Sequence, residues 1–239
     1  MGPVNATLVG EVSMDQVNKQ NEPAPNGLRR KLFRGVPAGF GVLLAVQAKT
    51  ALGATVTCQS PSAMMSGNTS PRPGGGTTCS GGLSPGYWKV PQHFGSWAPA
   101  GATYPTFKNI VVECSTGMSG LTLSSIKTAG TLVTTVLPGA SVPVGTGIWA
   151  VLAFPGSFTG GQLMRHLIAA WLNAGYFGSQ YPLTRSQIQN MWAATMAGGT
   201  YCPVGVTCTP PWTGTDVINY ISGMYDINAS GGDPSLCVK

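Results

Sequence analysis

The chain has 239 residues, of which 43% are hydrophobic, 8% aromatic and only 8% charged, with 34 glycines and 19 prolines. Charged residues stand at about a third of their usual share, while the apolar fraction is enough to bury a core, so composition excludes a charge-rich disordered chain and predicts a folded one with much irregular backbone. The net charge of +6 is front-loaded: Lys19, Arg29, Arg30, Lys31, Arg34 and Lys49 precede residue 50, whereas seven basic and four acidic residues follow residue 53. No basic stripe remains there to track a phosphate backbone, which excludes nucleic acid as a partner.

The first element is a leader. Residues 1–28 are polar, residues 29–34 read Arg-Arg-Lys-Leu-Phe-Arg, and residues 35–48 are a short apolar run diluted by Pro37, Gly39, Gly41 and Gln47. A basic block, an apolar run and then small residues form a secretory signal. The run is shorter than the roughly 20 residues a bilayer span needs, so no permanent membrane span is expected. Ala51-Leu52-Gly53 puts small residues before a cut that leaves Ala54 as the mature start. Arg29-Arg30-Lys31-Leu32-Phe33-Arg34 resembles the bacterial twin-arginine export signal. That resemblance implies the twin-arginine machinery as a partner, with the general secretory route as the alternative, and a periplasmic or extracellular destination after cleavage.

Next comes the cysteine framework of a single mature domain, 54–239. Cys58, Cys79, Cys114, Cys202, Cys208 and Cys237 all follow the leader, and their number is even, the pattern of an oxidising compartment. No Cys-x-x-Cys pair occurs, and His93 and His166 are the only histidines, so the sequence displays no metal or cofactor ligand set. Six cysteines allow fifteen pairings; Cys202 with Cys208 is the first to expect. Residues 54–106 are dense in Gly, Pro, Ser and Thr and read as a long irregular loop stapled by Cys58 and Cys79.

Within that loop stand Pro85-Gly86-Tyr87-Trp88-Lys89 and then His93, Phe94, Trp97 and Tyr104. The string resembles a Pro-Gly-Tyr-Trp-Lys element of exported bacterial proteins of unassigned function, and Arg165-His166-Leu167-Ile168-Ala169-Ala170-Trp171-Leu172-Asn173-Ala174 is similar to a second element of the same proteins. Neither element implies a chemistry. Tyr87, Trp88, Lys89, His93 and Trp97 are the candidate ligand-binding residues, the aromatic faces stacking on a sugar ring. The reading the sequence favours over stacking makes the same rings the loop's own core, since a charge-poor loop needs a buried anchor.

Residues 107–158 are mixed. Ile110-Val111-Val112 and Leu132–Leu137 are β-branched runs too short for periodicity to settle, and Ile148–Phe154 is a short buried run. Residues 159–239 are helical: Leu163, Leu167, Ala170, Trp171 and Ala174 define an amphipathic helix stopping at Gly175. Thr184-Arg185-Ser186-Gln187 is a capping box ahead of Ile188, Met191, Trp192 and Met196. A third helix starts at Thr215, carries Val217, Ile218, Ile221, Met224 and Tyr225, and ends near Asn228.

Catalytic patterns are thin. Ser124-Ser125-Ile126-Lys127 has Ser-x-x-Lys spacing without the other motifs of that class, and Gly156-Ser157-Phe158-Thr159-Gly160 misplaces serine for a nucleophile elbow. His166 has few carboxylates to orient it among Glu113, Asp216, Asp226 and Asp233. The expectation is a mainly α, loop-rich, disulfide-stapled domain with about three helices in its C-terminal half, serving as a non-enzymatic envelope or extracellular protein that is structural or adhesive and self-associates. The alternative is a wall- or carbohydrate-directed binding module or hydrolase using residues 87–104.

Overall fold

The computed structural model describes residues 59–66, 81–113 and 115–225. The chain divides between Ala54 and Thr55, and all described residues belong to the unit Thr55–Lys239. The expected leader with Arg29 and Arg30, and Cys58, Cys79, Cys114 and Cys237, lie outside them. The described part is mainly helical, as composition and pattern predict, and no helix in it is long and apolar enough to cross a membrane.

Two short helices open the domain where an irregular loop is expected. α1 (Pro61–Met65) and α2 (Pro85–Lys89) each follow a serine whose hydroxyl accepts a backbone N–H, Ser60 from Ala63 and Ser84 from Tyr87. Proline at the first helical position fixes φ and gives up an N–H that would be unpaired anyway. Five-residue helices show no periodicity, so only the Ser-Pro caps could have disclosed them; a 3-10 turn, Pro91–Ser96, follows α2 directly.

The mixed region resolves into a two-stranded antiparallel ribbon, β1 (Thr106–Phe107) with β2 (Ile126–Thr128). The run from Leu132 becomes helical, not extended: α3 (Val133–Val136) turns Val133, Val136 and the following Leu137 into the core. The run from Ile148 becomes α4 (Ile148–Ala153), buried from Ile148 to Leu152 and so apolar all round, as a central helix must be.

α5 (Gly161–Phe177) is the hub, packing against α2, α4, α6 (Arg185–Thr195) and α7 (Gly214–Ser222). It runs through Gly175, the residue expected to end it. A Cβ at Gly175 would lie 2.3 Å from the Ala100 carbonyl oxygen, so the glycine permits close approach of the 97–102 segment, and the helix stops instead before Gly178 at φ 56°. The capping box at α6 forms as predicted, with Thr184 and Gln187 satisfying each other's backbone N–H. α7 begins one residue early, because Thr213 with Asp216 makes a second capping box, and it ends at Ser222, so Met224 and Tyr225 lie in the turn beyond. Between α6 and α7, Cys202 and Cys208 are disulfide-bonded, as expected, and Tyr201 and Trp212 exchange both backbone hydrogen bonds across the base of that loop.

Candidate functional site

The residues singled out in the sequence meet, but around the core. Trp88 is 0% exposed and Trp97 1%, and Tyr87 is buried beside them. Trp88 meets Tyr87, Trp97 and Tyr176 edge to face at centroid distances of 5.4, 6.4 and 5.9 Å, and His93 stacks on Tyr87 at 3.7 Å. The polar edges are also satisfied. Trp97 Nε1 donates to the Trp88 carbonyl at 3.1 Å, Trp149 Nε1 to the Lys89 carbonyl at 2.9 Å, and His93 Nδ1 to the Tyr87 carbonyl at 2.9 Å. A stacking platform needs a free ring face, and these faces are occupied by one another. Tyr104 belongs to the same cluster, and burial pushes its hydroxyl well above the ordinary phenol range, with the contact to Trp149 easing this slightly.

The residue that organises the site is Asn173, which the sequence shows only as the ninth residue of the 165–174 string, with no role of its own. Asn173 is fully buried on α5; its Oδ1 accepts from Trp88 Nε1 and from the Leu83 N–H, both at 3.0 Å, and its Nδ2 donates to the Leu83 carbonyl at 2.9 Å. The Pro-Gly-Tyr-Trp-Lys string and the Arg-His helix are therefore two halves of one hydrogen-bonded unit, joined by side chains 85 residues apart. The available signal was an asparagine in the most apolar stretch of α5, where a buried amide must find partners.

Seven residues earlier on the same helical face, His166 Nδ1 lies 2.9 Å from the Tyr225 hydroxyl with the rings near parallel. Ala169 and Ala170, both fully buried, lie between His166 and Asn173 on α5. On the other side of the seam, Gly82 donates its N–H to the Met224 carbonyl at 2.9 Å and pairs with Tyr225 in a parallel bridge. A Cβ on Gly82 would sit 2.5 Å from Asn173 Nδ2, so only glycine fits. Both ends of the helical unit, 82–83 and 224–225, are thus clasped to one face of α5.

The seam is electrostatically uneven. Burial, and then the Arg165 charge, hold the His166 imidazole below its ordinary value of 6.5. Burial drives Tyr225 well above the phenol range, Tyr181 adds to this, and Arg165 opposes it. Arg165 Nε and the Tyr181 hydroxyl are buried without a hydrogen-bond partner; burial raises Tyr181 too, and the Asn173 amide eases that slightly without reaching hydrogen-bond geometry.

Other candidates are committed elsewhere. Asp216 accepts both the N–H and the hydroxyl of Thr213 as the cap of α7. Ser124 lies in a 3-10 turn and Lys127 on β2, so the Ser-x-x-Lys spacing does not fall on a helix and the two are not one helical turn apart. Arg185 lays its guanidinium 3.4 Å over the Trp171 ring and donates to the Ala100 carbonyl, tying α6 to α5 and to the 97–102 segment. Among the described residues no group of three or more His, Cys, Asp or Glu gathers where it could hold a metal. Comparison with known proteins gives no match to a family model, to a curated protein or to a solved structure.

Proposed function

We propose that the chain is a bacterial export precursor whose part from Ala54 onward is a non-catalytic structural protein of the cell envelope or extracellular space, acting by association with its own kind or with wall polymer. The observation that carries this reading is the inward use of the aromatic side chains. Trp88, Trp97 and Tyr87 are spent on the domain's own core, and the described residues hold only five basic and two acidic side chains, which gives a sparsely charged surface. Such a surface has little charge repulsion to keep copies apart. The Cys202–Cys208 disulfide supports an oxidising destination.

The test is expression of the full chain in a bacterial host with a functional twin-arginine system, followed by intact mass and light scattering of the exported product. The reading expects a chain starting near Ala54, export lost in Arg29→Lys/Arg30→Lys, and either concentration-dependent self-association or sedimentation with isolated wall. Full-length protein retained inside the cell, or an exported strict monomer that ignores the wall, would overturn it. A carbohydrate platform on residues 87–104 would require Trp88 and Trp97 to leave the core, and soluble wall oligosaccharides should therefore leave tryptophan fluorescence unchanged.

A further inference from the structure

Three sulfur atoms converge at one edge of the domain. The Cys202–Cys208 disulfide closes the loop Pro203-Val204-Gly205-Val206-Thr207 between α6 and α7, and the Met65 thioether at the end of α1 lies 3.4 Å from Cys208 Sγ. Met65 is brought there from 143 residues away, and α1 is held in place independently, by the Tyr220 hydroxyl donating to the Gln59 carbonyl at 2.7 Å. Cys202 is exposed and Cys208 half-buried, so the pair is open to an external dithiol or phosphine.

We propose that the reduced form of this pair, together with Met65, is a binding site for a soft monovalent cation, Cu(I) or Ag(I). Reduction by a dithiol takes two electrons and two protons into the S–S bond, leaving two thiols here and a disulfide on the reductant. Each thiol then gives its proton to solvent as it binds the metal, so the site holds M(I) with two thiolates and one neutral thioether. Thiolate and thioether donors select soft ions of this kind. Zn(II) is disfavoured, because it takes nitrogen, thiolate or carboxylate donors in fours, and no metal-competent group of His, Cys, Asp or Glu surrounds the pair among the described residues. The sulfur geometry alone carries this site. The export reading supplies only a setting, since the two cysteines are thiols for as long as the chain stays in a reducing cytoplasm.

The experiment uses the full chain, reduced with a phosphine under anaerobic conditions, titrated with Cu(I) against a chromophoric Cu(I) chelator while the methionine methyl groups are followed by NMR. The four remaining cysteines can also take the metal, so Met65 decides the outcome. The expected result is that the first equivalent of Cu(I) shifts the Met65 methyl resonance, that Met65→Leu weakens that equivalent at least about tenfold, which is ~1.4 kcal/mol, and that Cys202→Ser/Cys208→Ser removes the methyl shift. A Met65 methyl that stays in place through the first equivalents, or a folded Met65→Leu chain of unchanged affinity, would overturn it. Export and self-association are unaffected by either result.

Discussion

Asn173→Ala tests the central claim, that one amide joins the two recognisable strings. The substitution removes both acceptor bonds of Oδ1 and the donor bond of Nδ2, leaving the Leu83 N–H, the Leu83 carbonyl and the Trp88 indole N–H buried without partners. An unsatisfied buried polar group costs about 1–3 kcal/mol, and three of them amount to about 3–9 kcal/mol before relaxation, against the ~5–15 kcal/mol that holds a typical domain together. Trp88→Phe deletes one of the three bonds along with part of the ring packing, and the double variant separates the two. Urea unfolding of the parent chain, both single variants and the double variant yields the coupling. Contacting residues in one network should couple by about 0.5–3 kcal/mol, with Asn173→Ala the more damaging single change. Effects that add to within about 0.3–0.5 kcal/mol would show that the Trp88 bond is no part of the network, and an Asn173→Ala midpoint equal to the parent's would show that the buried amide is not what ties residues 83–88 to α5.

His166 makes stability fall in acid. Its folded pKa lies below the ordinary 6.5, so the native state binds fewer protons than the unfolded chain as pH drops through that value, and the stability present above pH 6.5 is lost progressively toward the folded pKa. The urea midpoint should decline between pH 7.5 and pH 5, and His166→Gln should flatten that slope; a parent midpoint constant over this range would refute it. Gly175→Ala should destabilise by about 1–3 kcal/mol through its clash with the Ala100 carbonyl, whereas Gly156→Ala, which meets nothing within 4 Å, should be close to neutral, and thermal melts of the two variants separate these outcomes. Replacing Cys202 and Cys208 by serine opens only a short loop, of sequence separation 6, and should cost about 2 kcal/mol by chain entropy. A loss several times larger, measured by denaturant unfolding, would mean that the crosslink holds more than its own loop.

The features legible in the sequence are those set by neighbours along the chain. Thr184 with Gln187 caps α6 because both partners lie within one turn, and the 202–208 disulfide forms because a short loop keeps its ends close. The α5 pattern is likewise visible from its apolar spacing. Its end is not, because Gly175 looks the same whether it terminates a helix or admits a passing carbonyl. Only the packing of the 97–102 segment distinguishes the two. The Ser-Pro caps of α1 and α2 were present in the string but marked helices too short to show a period, and the β-branched run at 133–136 became helical because burial of Val133, Val136 and Leu137 outweighed a weak local preference. The inward burial of Tyr87, Trp88 and Trp97 is one of the two readings the sequence offers, because a charge-poor loop needs a buried anchor. The partners are not legible there: that Asn173 receives Trp88 and Leu83, and that His166 meets Tyr225, are contacts across 59 to 90 residues. Such pairings are chosen by the free energy of burying each polar group with a partner, a sum over the folded chain that no local window contains.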